Sequence, residues 1–403
     1  MKILVNDFAG LPFPVQLSRE LARRGYEILH TYCASFLTPH GALAKTHDEP
    51  GHFDIQAVKL DEDFNKYGLV QRWLQERAIG EKYAAVAEKF NPDVILSANT
   101  PLGAQGKLLA CARAHRIPFI FWLQDLYGEG ATRVLRKRIP IVGAALGRGF
   151  AMYERWLFMR SSSVVAITAD FLPYLPRTVR DHRATVIENW APIDALPVLP
   201  KDNDWSRQHD LTHKICLLYA GTLGMKHNPD LLLELARAFR KDEEVRVLVI
   251  SEGAGVEYLA RRKTDLGLDN LLLLGFQPFE AMPQVLASAD VLLTILEPDA
   301  GRFAVPSKVL TSLCAHRPLL LAVPAVNLAA RIVSDNRAGL VVPPDDLSAL
   351  AETAQRLVKD AALRDQCAEN GRAYAERTFD IGRIADRFEQ IIRVAAEAAK
   401  VKN

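Results

Sequence analysis

Short apolar runs, each followed by a stretch of helical spacing, recur along the chain and constrain its fold more than any other feature. In the first half the runs are MKILV, EILHTY, PDVILSA, PFIFWLQD and SSVVAIT. Apolar runs of this length that alternate with helices are typical of a parallel sheet covered by helices on both faces. The first half is therefore predicted to form one α/β domain of Rossmann-like type.

The same alternation begins again after residues 183–205, a segment rich in prolines and polar breakers. The second series comprises KICLLYAGTLG, VRVLVISEGAG, NLLLLGF, DVLLTIL, RPLLLAV and AGLVVP, and a long amphipathic stretch from about residue 380 ends the pattern. A chain of 403 residues exceeds what one hydrophobic core usually organises, so two Rossmann-like domains are predicted. Ligands of such sheets collect beyond the carboxyl ends of the strands.

Charge and cysteine content exclude several classes of protein. The 50 basic and 48 acidic residues nearly balance, which gives no indication of a nucleic-acid partner. The five cysteines are widely spaced and form no CxxC pair, so neither a disulfide framework nor a zinc site is expected. Without a long apolar run or a signal peptide, the chain is expected to be cytoplasmic.

A glycine-rich turn in the second half is the first candidate site. In YAGTLGMKHNPDLLL, Gly221 and Gly224 allow a tight turn after a strand, and Lys226 precedes a helix. Backbone N–H groups and a lysine in this arrangement suit a diphosphate. An ordinary turn with a solvated lysine explains the pattern equally well.

A second candidate lies in LEPDAGRFAVPSKVLTSLC. Pro306 is interpreted as the first residue of a helix, and Lys308 adds a positive charge beside the open N–H groups there. That combination favours a phosphate ester, and the alternative is a well-capped surface helix. The pair Gly253 and Gly255 has only part of a dinucleotide-binding pattern and is interpreted as a tight turn.

In the first half, Asp125 follows a buried strand and is the candidate proton acceptor for a substrate hydroxyl. Equally, it could be the N-cap of the next helix. No metal site is predicted: Asp61 and Asp63 are spaced as in metal-dependent transferases but lie in a charged loop.

Residues 133–160 combine many basic residues with apolar ones. This stretch contains a single acid, Glu154, against Arg133, Arg136, Lys137, Arg138, Arg148, Arg155 and Arg160. A basic and apolar surface of this kind favours attachment to anionic lipid. The alternative is a helix buried on one face with solvated arginines on the other.

Taken in order, several segments resemble the family 4 retaining glycosyltransferases of GT-B fold, above all those that make lipopolysaccharide and colanic-acid-type exopolysaccharide. The resembling segments are NDFAGLPFP, WLQDLYGE, VIENW, YAGTLGMKHNP, SEGAGVEYL, VPSKVLTSLCAHRP and AGLVVPPDD. The resemblance implies an α/β GT-B fold, with two Rossmann-like domains facing across a cleft. Residues 1–195 would bind the acceptor and residues 205–379 the donor, and the last helix, 380–403, would pack back on the first domain.

The resemblance also assigns residues to the nucleotide-sugar donor. Contacts to the diphosphate would come from Gly221, Lys226, Ser307 and Lys308, with Gly10 of the first domain completing them, and Glu252 and Gly275 would lie near the nucleoside. Thr222 stands where many relatives have an arginine, and Thr311 stands where many have the second glutamate of a Glu-x7-Glu motif. Glu297 precedes the same loop, and these three residues are included among the candidate donor contacts.

The implied reaction moves a sugar, such as a hexosyl unit, from a nucleoside-diphosphate sugar to a hydroxyl with retention of configuration. Lys226 and Lys308 would stabilise the leaving diphosphate without a metal or another cofactor, and Asp125 would orient the acceptor or take its proton. A polyprenyl-diphosphate-linked saccharide is the expected acceptor, which places the protein on the inner face of the cell membrane. An epimerase or phosphorylase of similar fold, or a non-catalytic partner subunit, remain the alternatives.

Overall fold

The computed structural model describes residues 1–36, 40–62, 64, 68–224, 227–302 and 305–400. The chain divides into two compact units, one formed by Met1–Asn189 with the segment that begins at Ile381, the other by Trp190–Asp380.

The predicted boundaries of the two domains require a correction. The first domain was expected to extend to residue 195, but residues 190–195 belong to the second unit. The segment that follows is also attached to this unit, because Arg372 donates hydrogen bonds from Nη1 to the carbonyl oxygens of Leu196 and Cys314, at 3.0 and 2.7 Å. The polar, proline-rich composition therefore does not mark a free linker here.

The first unit contains a seven-stranded parallel sheet. Its strands are β1 (Lys2–Asp7), β2 (Glu27–Cys33), β3 (Phe53–Val58), β4 (Val94–Ala98), β5 (Phe119–Leu123), β6 (Ser163–Ala166) and β7 (Ala184–Val186). They are arranged in the order β3-β2-β1-β4-β5-β6-β7. Consecutive residues of β1 are buried, which shows that both faces of the sheet are covered and explains the continuous apolar runs.

Helices cover this sheet on both faces. They are α1 (Pro12–Arg23), α2 (Leu69–Phe90), α3 (Leu102–Ala114), α4 (Tyr127–Arg138), α5 (Pro140–Arg160) and the short α6 (Arg177–Arg180), with a 3₁₀ turn at Ala169–Tyr174. Helix α1 begins at a proline. The first N–H groups of a helix have no acceptor within it, so the N–H that proline lacks costs no hydrogen bond at this position.

The last helix in chain order, α15 (Ile381–Lys400), packs on the first unit; helices α7 to α14 belong to the second unit and are given below. The ring of Phe388 lies 4.6 Å from that of Trp122 in β5. At the edge of this contact Arg24 donates to Asp386 and Glu389 at 2.6 and 2.9 Å. Apolar burial and paired charges together hold the end of the chain against its beginning.

The second unit contains a six-stranded parallel sheet and its own helices. The strands are β8 (Ile215–Ala220), β9 (Val245–Ile250), β10 (Leu271–Leu274), β11 (Val291–Ile295), β12 (Leu319–Ala322) and β13 (Gly339–Val342). The helices are α7 (Asp204–Gln208), α8 (Asp230–Ala238), α9 (Ala254–Leu266), α10 (Met282–Ala287), α11 (Lys308–Cys314), α12 (Leu328–Asp335), α13 (Leu347–Lys359) and α14 (Ala361–Thr378). Three 3₁₀ turns lie at Ile193–Ala195, Phe279–Ala281 and Pro298–Arg302. The strand order is β10-β9-β8-β11-β12-β13.

Each sheet has one point at which the strand order reverses. In the first unit it lies between β1 and β4, and in the second between β8 and β11. Loops on either side of such a point diverge and leave a crevice at the carboxyl ends of the strands. The loops after β8 and β11 carry Gly221 and Glu297, so the predicted donor residues lie beside the crevice of the second unit.

Candidate functional site

The centre of the candidate site is the contact between Lys308, the first residue of α11, and the loop after β8. A Cβ atom at Gly221 would lie 3.3 Å from both Cε and Nζ of Lys308. Gly221 also has a φ of 128°, which a residue with a side chain rarely adopts. The φ favours glycine at this position, and the close approach brings two of the predicted diphosphate residues together.

The ammonium group of Lys308 is enclosed by protein. Its Nζ lies 3.6 Å from the centroid of the Tyr219 ring and has no hydrogen-bond partner among the described residues. Burial lowers the pKa of Lys308 to about 7. A buried cation without a hydrogen-bonding acceptor is costly, and an anionic ligand beside it would remove much of that cost.

The structure corrects the predicted start of α11. The helix begins at Lys308 with Ser307 as its N-cap, so Pro306 precedes it and is not its first residue. The Ser307 side chain is exposed and makes no capping hydrogen bond, which excludes the alternative of a well-capped helix. Thr311 lies one turn further along α11 and is half-buried, as is Glu297 after β11.

Thr222, a candidate donor contact, lies in the loop after β8. Its backbone carbonyl oxygen accepts a hydrogen bond from the Tyr219 hydroxyl at 2.8 Å, while the residue itself is exposed. Tyr219 thus connects the loop to the buried lysine, a role for which the sequence contains no signal. Lys226, the other predicted lysine, lies outside the described residues.

Two further predicted donor residues lie together. The Glu252 Oε1 accepts the N–H of Phe276 at 3.1 Å, and a Cβ at Gly275 would lie 3.4 Å from the same oxygen. Gly253 precedes α9 and has a φ of 92°, so the interpretation as a tight turn agrees with the geometry of this residue. Gly255 lies in the first turn of α9, where it packs against Leu223.

In the first unit, Gly10 lies in a tightly held loop after β1. It has a φ of 65°, and a Cβ there would lie 2.8 Å from His40 Nδ1. The Asp7 carboxylate accepts the N–H groups of Leu11 and Ala9 at 2.5 and 3.3 Å. Burial raises the pKa of Asp7 to about 7, and the two backbone hydrogen bonds oppose that rise.

Asp125 is half-buried in the loop after β5 and is not the N-cap of α4. The N-cap is Leu126, and the N–H groups of Tyr127 and Gly128 are instead bound by the carboxylate of Glu154 at 2.9 and 3.2 Å. The capping alternative for Asp125 is therefore wrong. The sequence did contain a signal for Glu154, since it is the single acid of a basic stretch.

Helix α5 has an unusual exposed surface, here called the α5 face. Its large apolar residues are Ile141 (88% exposed), Val142 (56%), Leu146 (51%), Met152 (70%), Trp156 (39%) and Met159 (47%), with Arg148, Arg155 and Arg160 among them. Leu157 and Phe158, apolar residues of the same basic stretch, are buried and do not belong to this surface. The alternative of an apolar side turned wholly inward with only arginines outside does not describe this helix. None of the described helices meets the length and hydropathy needed to cross a bilayer.

Two family descriptions match successive parts of the chain. "Glycosyl transferase 4-like domain" matches residues 12–190 and "Glycosyl transferases group 1" matches residues 201–374. These ranges coincide closely with the two α/β units.

Individual proteins give the same result. WbjE of Pseudomonas aeruginosa, assigned as a glycosyltransferase, is 23% identical over 77% of this chain and 76% of its own length. WcaI of Escherichia coli K12, assigned as a glycosyl transferase of colanic acid biosynthesis, is 26% identical over 66% of this chain and 68% of its own. Among solved structures, HepE of Anabaena in complex with UDP and glucose matches with a TM-score of 0.71 and 17% identity, covering 98% of this chain and 99% of that one.

The predicted family and fold are thereby confirmed, with a Rossmann-like sheet in each matched region and relatives in polysaccharide biosynthesis. The chain belongs to the family 4 type of glycosyltransferases with the GT-B fold.

Proposed function

We propose that this glycosyltransferase binds a nucleoside-diphosphate sugar at the crevice of its second unit and transfers the sugar to a hydroxyl of an acceptor bound by its first. The observation that carries the proposal is the enclosed ammonium of Lys308 beside Gly221, with no hydrogen-bond partner among the described residues. It lies at the strand-order reversal, where ligands of open α/β sheets bind.

A diphosphate supplies what this lysine lacks. As the bond to the sugar breaks, negative charge develops on the leaving diphosphate, and a preorganised cation in a water-poor site stabilises that charge strongly. The geometry of Gly221 supports this role, because the absence of a side chain there lets the backbone of the loop approach the lysine closely. The chemistry needs no metal ion, and Lys226 would add a second cation.

The nucleoside would lie near Glu252 and Gly275, at the ends of β9 and β10. Because HepE is seen with UDP and glucose, UDP-sugars are the first donors to test. Thr311 and Glu297 would contact the ribose or sugar, with the Thr311 hydroxyl a weaker acceptor than the carboxylate that relatives use there.

On the acceptor side, Asp125 lies in the loop after β5, while Glu154 accepts the first N–H groups of α4. A half-buried carboxylate at the end of a strand can orient a hydroxyl or take its proton. Retention at the anomeric carbon follows from the family resemblance, and product NMR with a defined donor would establish it.

The acceptor is proposed to be a polyprenyl-diphosphate-linked saccharide at the inner face of the cell membrane. The α5 face supports this, since exposed apolar side chains and arginines without an exposed acid suit an anionic lipid surface. The protein would then be cytoplasmic and peripherally attached.

A panel of nucleoside-diphosphate sugars, screened by thermal shift, tests the donor proposal. A ligand at about 100 times its Kd stabilises the folded state by about 2.7 kcal/mol, which is easily seen on melting. The stabilising donor is then assayed with and without saccharide acceptors. Acceptor-dependent release of the nucleoside diphosphate supports the transferase; conversion of the donor sugar without acceptor would identify an epimerase, and binding without turnover a partner subunit.

A further inference from the structure

A cluster of three metal-ligating side chains lies in the first unit, away from the residues discussed so far. Glu88 is on α2, Cys111 is on α3, which packs beside α2, and His115 is the C-cap residue of α3. One ligand atom from each residue falls within a group no more than 4.8 Å across. We propose that these three residues bind a divalent ion of the zinc type.

The distances are close to those of a coordinated ion. With usual Zn–S, Zn–N and Zn–O bond lengths, ligand atoms of a tetrahedral site are about 3.4–3.6 Å apart. The Nε2 of His115 lies 3.5 Å from Glu88 Oε1, and the Sγ of Cys111 lies 3.9 Å from the same oxygen. Small side-chain rotations therefore suffice to close the site.

The backbone presents these ligands in fixed positions. Cys111 and His115 are four residues apart and so lie on one side of α3. The helix ends at His115, where Arg116 takes a φ of 57° and the N–H of Ile117 bonds to the carbonyl of Ala112 at 2.7 Å. That closing motif fixes the last turn, and His115 with it.

Ligand chemistry and exposure favour zinc over magnesium or calcium. Thiolate, imidazole and carboxylate form a zinc set, whereas the hard cations require oxygen ligands. Glu88 and His115 are about half exposed, with side-chain accessibilities of 55% and 49%, so an ion can enter and a water can fill the fourth position. Binding displaces the thiol proton of Cys111 to solvent, as thiolate coordination requires.

An ion bound here is expected to link helices α2 and α3 and to have no direct effect on the transfer reaction. Helix α3 runs from the carboxyl end of β4 to the amino end of β5, and α2 likewise ends where β4 begins. The cluster at their C-terminal ends therefore lies at the opposite edge of the sheet from Asp125. The sequence did not indicate it, because Glu88 and Cys111 come from separate helices without CxxC spacing.

Cobalt(II) added to the reduced full-length protein tests the proposal, since a cobalt–thiolate bond gives a near-ultraviolet charge-transfer band. We expect one equivalent to produce the band in the wild type. Cys111→Ser should abolish it, and His115→Gln should weaken binding at least tenfold. The matched control is His316→Gln, which disrupts a similar His–Glu pair, His316 with Glu369 at 2.6 Å, and should bind cobalt as the wild type does.

Zinc should also raise the melting temperature of the wild type and of the control, but not of Cys111→Ser or His115→Gln. If Cys111→Ser fails to fold, Glu88→Gln replaces it, because that side chain is half exposed. Absence of the band at saturating cobalt, or a band of full intensity in Cys111→Ser, would overturn the proposal. Neither result depends on the donor or the acceptor.

Discussion

The Nζ of Lys308 lies 3.6 Å from the centroid of the Tyr219 ring, and Tyr219 donates its hydroxyl hydrogen to the carbonyl oxygen of Thr222 at 2.8 Å. The face of an aromatic ring attracts a cation but does not replace a hydrogen-bond acceptor. This relationship holds the lysine beside the crevice and leaves its N–H groups without a hydrogen-bond acceptor among the described residues.

Replacing Lys308 should separate catalysis from stability. Lys308→Met is expected to lower turnover about tenfold to over a hundredfold, because a charge-assisted contact contributes about 1.5–3 kcal/mol. The melting temperature without ligand should not fall, since the substitution removes an enclosed cation and keeps most of its apolar stem. Steady-state kinetics at saturating donor and thermal melting measure both. Near-normal turnover would show that the phosphate assignment is wrong.

Donor affinity should depend on pH through Lys308. Burial holds the pKa of Lys308 at about 7 in the free protein, and a bound diphosphate favours its charged form and raises that pKa. Binding therefore takes up a proton above pH 7, and affinity for a nucleoside diphosphate should fall as pH rises, by at most about tenfold per pH unit. Calorimetry in buffers of different ionisation enthalpy reports the proton uptake. If the affinity of Lys308→Met for the nucleoside diphosphate depends on pH as that of the wild type does, Lys308 is not the group that takes up the proton.

Gly221 and Gly224 offer a matched pair. Gly221→Ala must adopt a φ of 128° and places a methyl group 3.3 Å from Lys308 Nζ, whereas the nearest atom to a Cβ at Gly224 is 3.8 Å away. Strain of this kind costs about 1–3 kcal/mol, so Gly221→Ala should lower both the melting temperature and turnover. Gly224→Ala should melt like the wild type. Equal melting of the two variants would contradict the structural reason given for Gly221.

Glu154 should make stability depend on pH. Burial raises its pKa to about 8, against the two backbone hydrogen bonds that lower it. The native state then holds a proton that the unfolded chain loses above its usual value of 4.5, so this stabilising contribution is lost as pH rises towards 8. Glu154→Gln keeps an acceptor without ionising. As pH rises from about 5 to about 8, the melting temperature of Glu154→Gln should therefore rise relative to that of the wild type. Thermal melting of both proteins across this pH range measures the difference.

A second variant isolates the capping role of the same residue. Glu154→Leu leaves the N–H groups of Tyr127 and Gly128 without their acceptor, which costs about 1–3 kcal/mol at every pH. A Glu154→Leu protein as stable as the Gln variant would show that the cap contributes nothing.

Attachment to lipid should follow the α5 face. Arg148 on this face and Arg136 on α4, just before it, are exposed. Each basic residue near an anionic surface contributes about 1 kcal/mol, so reversing both to glutamate should weaken vesicle binding by at least about thirtyfold. Ile141→Ser with Met152→Ser should also weaken it. The control reverses Arg237 and Arg261, which are exposed in the second unit. Sedimentation with anionic and neutral vesicles measures binding, and equal, negligible binding to both would remove the membrane proposal.

The sequence determined the secondary structure pattern and the two sheets. Strands buried on both faces must be continuously apolar, so runs such as PFIFWL and KICLLY identify central strands whatever surrounds them. Glycines that need a special backbone, such as Gly221 and Gly10, were also visible, because few other residues fit a turn after a strand.

The tertiary structure decided which charged groups are buried, which partners they contact, and which apolar side chains are exposed. Nothing local in VPSKVL indicates that Lys308 is enclosed, since its surroundings come from β8, almost ninety residues earlier. In the same way Glu154 could be recognised as the cap of α4 only once α5 had folded beside it, and Cys111 met Glu88 only across two helices. Local propensity is a property of neighbouring residues, whereas burial and electrostatics depend on residues that are distant in the chain.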